Sequence, residues 1–330
     1  LDFDQPRGEN QIWYNYGNIG EACIISREFP LAKYTTEKKS DGTVVNVDKK
    51  KEKQLCSIPF HTSPESEKMA VCAKTSSTSP ALDLFEIKEG WTKKEMEKIN
   101  CTEKWGQDFK KVARYKMTTS CTYTPSILGY YQLSRILGNR LHIPAAVIRS
   151  LDLKFFEEKL DVGIQYSKDL PSNSRWNFLK KEIEWGKAGS DPIDANLFDN
   201  WLAQIYGAMI DHKSGGIYYN TLYGDNFHRP SWKLKSNTYK DMNSSLPLGK
   251  LFTKNFSEKN VQRLQSMQDM SEIMVMDYIM NQFDRWGNVS SREFYYWKEL
   301  ENGKVTIKTL PYSRKNEAKS HRCWYKISYI

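Results

Sequence analysis

The stretch Met276-Asp277-Tyr278-Ile279-Met280-Asn281-Gln282-Phe283-Asp284-Arg285-Trp286-Gly287-Asn288 carries an apolar helical pattern straight into a polar loop. Phosphoryl transfer needs a carboxylate near the attacking hydroxyl and an amide oxygen that holds a metal on the phosphates. Asp284 and Asn288 have those side chains at about that spacing, on one short loop after a buried helix. The alternative is a plain helix end, with Asp284-Arg285 solvated and Gly287-Asn288 forming a turn. The rest of the chain bears on which reading applies.

Upstream of the loop, Ser257 is placed to cap a helix that runs to Phe283 through Leu264, Met267, Met270, Ile273, Met274 and Tyr278. Its methionines read as core packing. Downstream, Phe294-Tyr295-Tyr296-Trp297 and Val305-Thr306-Ile307 predict a hairpin turned by Asn302-Gly303. Asp191-Pro192 predicts another helix start, with Ile193, Leu197, Trp201, Leu202, Ile205 and Met209 as its buried face. Residues 211–251 are rich in Gly, Asn, Ser and Tyr and predict long loops.

The first half reads as strand-rich. Residues 11–35 predict a hairpin around Tyr16-Gly17-Asn18-Ile19-Gly20, whose glycines permit a tight turn and make a weak phosphate-loop signal. Residues 36–66 read as an exposed excursion, with Asp41-Gly42 a turn and Lys49-Lys50-Lys51-Glu52-Lys53 a solvated run. Lys68–Thr75 is a short apolar run ending in Lys74. It reads either as a strand delivering one lysine to phosphates or as an edge strand with a solvated lysine. A helical charge pattern spans about 92–114. Ser126 is placed to cap a helix with the stripe Ile127, Leu128, Tyr131, Leu133, Ile136 and Leu137, stopped by Gly138. Ile143–Arg149 follows as a strand entered through Pro144. The expected division is therefore 1–150, strand-rich, and 151–330, mainly helical.

Composition narrows the class. The 330 residues include 39% hydrophobic and 27% charged residues, ordinary for a globular chain with a sizeable core. No run approaches the roughly 18 apolar residues of a membrane span. A formal charge of +9 favours anionic partners such as phosphates, glycans or acidic proteins. Nucleic acid is not indicated, because the densest basic run lacks interleaved aromatics. The 6 cysteines have no CxxC spacing. Cys72 reads as a buried structural thiol. Together with sequons at Asn100, Asn243, Asn255 and Asn288, the cysteines point to a secreted protein or one of the secretory-pathway lumen. The start at Leu1-Asp2-Phe3-Asp4 suggests a processed N-terminus. There is no HExxH, no GxSxG and no GxGxxG in a dinucleotide-binding context.

Two segments carry a family resemblance. Leu133-Ser134-Arg135-Ile136-Leu137-Gly138, followed by His142-Ile143-Pro144-Ala145-Ala146-Val147-Ile148-Arg149, resembles LDRxLG then xVPPxxxR. Asp277-Tyr278 through Phe283-Asp284-Arg285 resembles a D(F/Y)L…N(M/Y)DR segment. Both patterns belong to the atypical secretory-pathway kinases, the Golgi casein kinase, xylose kinase and four-jointed group. The resemblance implies an α+β, bilobal protein-kinase-like fold, with a strand-rich N-lobe and a helix-rich C-lobe. It implies nucleotide binding through Lys74, Gly17 and Gly20, catalysis by Asp284 with Arg285, and metal binding by Asn288. It also implies ATP with Mg or Mn as cofactor. The departures are equally definite. Ile127 stands where the family has a Glu, and Lys308–Arg314 has no carboxylate where a second metal aspartate is expected.

Those losses remove hard oxygen ligands from a metal that must bridge phosphates. The chain is thus expected to be a secreted pseudokinase or a kinase-like cleft turned to other use. The alternatives are an active atypical kinase for protein or glycan hydroxyls, and a secreted oxidase or luciferase-type enzyme with a small aromatic substrate. The partner is then a secreted protein, a glycan or a small molecule.

Overall fold

In Lys111–Met117 the residues Ala113, Tyr115 and Met117 are buried while Val112, Arg114 and Lys116 are only partly so, the period-two pattern of a strand with two unlike faces. That strand belongs to a computed structural model of the chain, which describes residues 11–16, 19–58, 68–75, 80–102, 109–117, 124–139, 143–170, 172–188, 204–212, 217–218, 237–251, 257–280, 290–301, 304–311 and 324–329. The architecture is mixed α+β in two compact units, residues 1–138 with 143–213, and residues 139–142 with 214–330.

The first unit is built on strands β1 (Gln11–Tyr16), β2 (Ile19–Ile24), β5 (Met69–Ala73), β6 (Ala81–Glu86), β7 (Lys111–Met117), β8 (Ala146–Asp152) and β9 (Gln204–Asp211). They form one sheet, every neighbouring pair antiparallel, in the order β1-β2-β8-β9-β7-β6-β5. A small hairpin of β3 (Thr36–Lys38) and β4 (Val44–Asn46) leads into helix α1 (Val47–Ser57), and α2 (Lys93–Thr102), α3 (Thr124–Ile136), α4 (Leu153–Tyr166) and α5 (Asn173–Lys187) follow. The main core joins Leu82, Leu84, Tyr115, Val147, Leu151 and Met209 of the sheet to Leu55 of α1, Phe156 and Leu160 of α4, and Trp176 and Ile183 of α5. Gly163 lets α4 and α5 meet, since a Cβ there would lie 2.8 Å from Trp176. The opposite sheet face is covered at β8 and β9 by α3, where Tyr131 packs with Ala145, Ala146, Ile127, Leu128 and Ile210.

Several expectations are corrected. Residues 36–44 are exposed as expected, with Gly42 at a φ of 87° in the Asp41-Gly42 turn, but residues 47–58 are not an exposed excursion. Asn46 caps α1 by accepting from the Lys49 amide, and α1 buries Asp48, Glu52, Leu55 and Cys56. The lysine run lies on this helix, with Lys49 paired to Glu28 and Lys51 to Asp211. Residues 204–211 are a strand, not the tail of a helix, because β9 must fit between β8 and β7. There Gly207 lies so close to Tyr115 that a Cβ would sit 2.5 Å from the ring. The upstream part of that predicted helix, 191–203, lies outside the described residues. Position 150 falls inside β8, whose Leu151 and Asp152 pair with Ile205 and Gln204, so the division comes after Lys213 instead. Ser126 lies within α3, whose expected stripe holds at Ile127, Leu128 and Tyr131 but not at Ile136, which is exposed while Ser134 and Arg135 are buried. Arg135 makes a bidentate pair with Asp48 at 2.8 and 2.9 Å and stacks on the Tyr131 ring. Gly138 adopts a φ of 94° after the helix, as its reading as a stop requires.

Cys72 is not a free thiol. Disulfides Cys72–Cys101 and Cys23–Cys56 tie β5 to α2 and β2 to α1. Cys121 and Cys323 lie outside the described residues. Loops of this size are worth about 3–4 kcal/mol each in the chain-entropy account. No helix among the described residues is long and apolar enough to cross a membrane.

The second unit, expected to be mainly helical, carries a four-stranded sheet of β10 (Ile217–Tyr218), β11 (Ser290–Glu301), β12 (Lys304–Pro311) and β13 (Trp324–Tyr329). β11 and β12 are the expected hairpin, in register from Glu301↔Lys304 onward. Short helices α6 (Asn237–Met242) and α7 (Leu248–Leu251) precede the long α8 (Glu258–Ile279), whose cap is Ser257, accepting from the Asn260 amide.

Candidate anion-binding site

Cross-strand register assembles one charged surface on the sheet face that α3 covers further along. Asp83 of β6 lies opposite Arg114 of β7, and Ala81 lies opposite Lys116. The Lys74 amide donates to the Ala81 carbonyl, which continues the β5–β6 ladder by one rung past Ala73. Lys74, Ala81, Lys116 and Ala208 therefore occupy one rung across four strands and share a face. The two lysine backbones are about 10 Å apart with only an alanine between them, so both ammonium groups can reach over the same spot.

Asp83 is the hub of the next rung. Its Oδ1 accepts from Arg114 Nε at 2.6 Å, and its Oδ2 accepts from Arg114 Nη2 at 3.1 Å and from Lys111 Nζ at 3.0 Å. Burial raises the Asp83 carboxyl, yet Arg114 and Lys111 outweigh burial and hold it below the usual carboxylate range. Lys74 responds in the opposite way. Burial, then the charge of Arg114, brings its amine down to about 8, with Lys116 and Lys111 acting in the same sense. His212, whose amide donates to the Val112 carbonyl, is likewise lowered by burial and by Lys111 and Arg114. Four cations thus gather round one carboxylate among the described residues. The next carboxylate, Asp211, is ion-paired to Lys51. Such a surface attracts anions, and three of the roughly four lone-pair sites of its acid are already taken by Arg114 and Lys111.

The residues expected to form a site are only partly assembled here. Lys74 ends an edge strand rather than a central one. The edge itself is shielded, because Glu97 of α2 accepts from the Val71 amide and is paired with Lys159. Gly20 lies on β2 opposite Asn15, and Gly17 lies outside the described residues. β2 and β5 are five strand spacings apart, about 24 Å, so one phosphate chain cannot touch both Gly20 and Lys74. Asp284, Arg285 and Asn288 lie outside the described residues, beyond the Met280 end of α8. Among the described residues, no three His, Cys, Asp or Glu side chains gather as a metal site.

Lys116, Arg114, Lys111 and Asp83 were missed from the sequence. The available signal was the alternation in Val112-Ala113-Arg114-Tyr115-Lys116, directly before the helix that opens near Pro125. No protein-family model, curated protein or solved structure matches the chain.

Proposed function

We propose that the chain is a secreted kinase-like protein whose metal–nucleotide chemistry is degraded, acting as a pseudokinase or through a cleft turned to other use. The observation that carries this reading is the run β7–α3–β8–β9 with β9 seated between β7 and β8. In protein kinases the phosphate-holding lysine lies on the strand before such a helix and pairs with a Glu on it. Lys116 occupies that strand, on the face that α3 packs against, and takes the role first assigned to Lys74. Helix α3, Thr124–Ile136, has neither Asp nor Glu to orient it. With no carboxylate in Lys308–Arg314 either, two of the expected acidic groups are missing from the sequence. The two disulfides support an oxidising compartment, hence secretion or the secretory lumen.

The test is incubation with labelled ATP and Mg²⁺ or Mn²⁺ beside titration calorimetry. No phosphoryl transfer is expected, and no metal-dependent binding as tight as about 1 μM, or about −8 kcal/mol. Tight metal-dependent binding, with transfer abolished in Asp284→Asn, would establish the active-kinase alternative instead.

A further inference from the structure

We infer that the rung Lys74–Ala81–Lys116, with Arg114 and Lys111 beside it, binds a condensed phosphate chain directly, through ammonium and guanidinium groups and without a divalent cation. This rests on the cleft assignment above but departs from its usual chemistry. A kinase-like site is expected to hold its triphosphate through Mg²⁺ or Mn²⁺, and the residues present do not fit that ion. Asp83, the one carboxylate in the cluster among the described residues, spends both oxygens on Arg114 and Lys111. Ligating a metal there would set an added positive charge directly against Arg114 and Lys111. A phosphate chain arriving bare meets the opposite situation. Lys74, Lys111, Arg114 and Lys116 are each only partly buried, and each phosphate can accept from a cation already in place.

The charge balance points the same way. Among the described residues the cluster holds four cations to the one carboxylate of Asp83, an excess that favours an anion carrying several charges. A bound Mg²⁺ would cancel two of the ligand's charges and weaken its attraction to the cluster. The amine of Lys74 is held down by burial and by neighbouring cations, a penalty that an incoming anion relieves.

The probes are inorganic tripolyphosphate and ATP, each titrated into the full chain with EDTA and again with excess Mg²⁺. Binding in EDTA at least as tight as in Mg²⁺ is expected for tripolyphosphate. If ATP binds equally, the phosphate chain alone is read and either source can fill the site. If ATP binds more tightly, the base is read too and the source is a nucleotide. Lys116→Ala and Lys74→Ala should each weaken binding roughly tenfold, as loss of one charge-assisted contact does. Lys110→Ala, on the exposed pair with Glu86, should leave it unchanged. Thermal melts of the variants separate loss of contact from loss of fold. Binding that requires Mg²⁺ or Mn²⁺ overturns the metal-free site and leaves the kinase-like reading standing. Binding equally sensitive to Lys110→Ala reduces it to diffuse surface charge and also overturns it. No binding in either buffer overturns the phosphate site and leaves the pseudokinase reading standing.

Discussion

Glu52 is a carboxyl buried to 2% exposure on α1, and burial lifts its pKa to about 7 although the hydroxyls of Tyr131 and Ser26 hold the rise in check. An acid raised in the folded state keeps its proton where the unfolded chain has lost it. Its stabilising contribution is therefore complete below about pH 4.5 and lost progressively as pH rises to about 7. Glu52→Gln keeps the shape and removes the titration. Urea unfolding should show the variant more stable than the parent by on the order of 2 kcal/mol at about pH 8, and nearly equal at about pH 4.5. Asp83 behaves inversely. Asp83→Asn strands Arg114 and Lys111 in a largely buried site and should cost about 3 kcal/mol, read from the same unfolding curves. The sequence makes Lys74 visible because an apolar run ends on it. It hides Asp83 and Arg114, because residues 31 apart become partners only through the β6–β7 register.

At the scale of elements, β9 tests the packing account most sharply. A Cβ on Gly207 would fall 2.5 Å from the Tyr115 ring and 2.6 Å from the Lys116 carbonyl oxygen, and backbone cannot swing aside as a flexible side chain can. Gly207→Ala should lower unfolding stability by about 3 kcal/mol or more. Gly249→Ala, with nothing within 4 Å, should stay within about 0.5 kcal/mol of the parent by the same measurement. The strand also shows why periodicity misled. Ile205 and Met209 lie four apart, which suits a helix, but a central strand buried on both faces has no polar alternation to betray it. Helix α8 was legible because a serine cap and a long apolar series agree, and β11–β12 because Asn-Gly fixes a two-residue turn. Helix α1 was not, because its buried face includes Asp48 and Glu52, which look like solvent residues until Arg135 is brought to Asp48 from 87 positions away and Tyr131 and Ser26 are brought to Glu52.

Across the whole molecule the +9 charge attracts anions everywhere, so a local site must be told from a general field. Ionisation provides the means. Ordinary surface lysines stay charged to about pH 10.4, so the general field barely changes between about pH 7 and pH 9. His212, pushed below the usual histidine range by burial and by Lys111 and Arg114, is already neutral at the start of that window. Lys74 is different, because its amine titrates at about 8 in the free protein. A bound polyphosphate would stabilise the ammonium form and raise that value. Below about 8 the amine is charged before and after binding, so affinity is flat with pH. Above it, binding must take up a proton, and affinity should fall by up to about tenfold per pH unit until the bound-state value is passed. Calorimetry with tripolyphosphate in EDTA, at about pH 7 and pH 9, should show this drop in the parent. Lys74→Arg, which stays charged throughout, should lose it. Any titration of the phosphate itself is common to both proteins and cancels in the comparison. An identical slope in Lys74→Arg would mean that another group titrates and that the rung beside Ala81 is not where the anion sits.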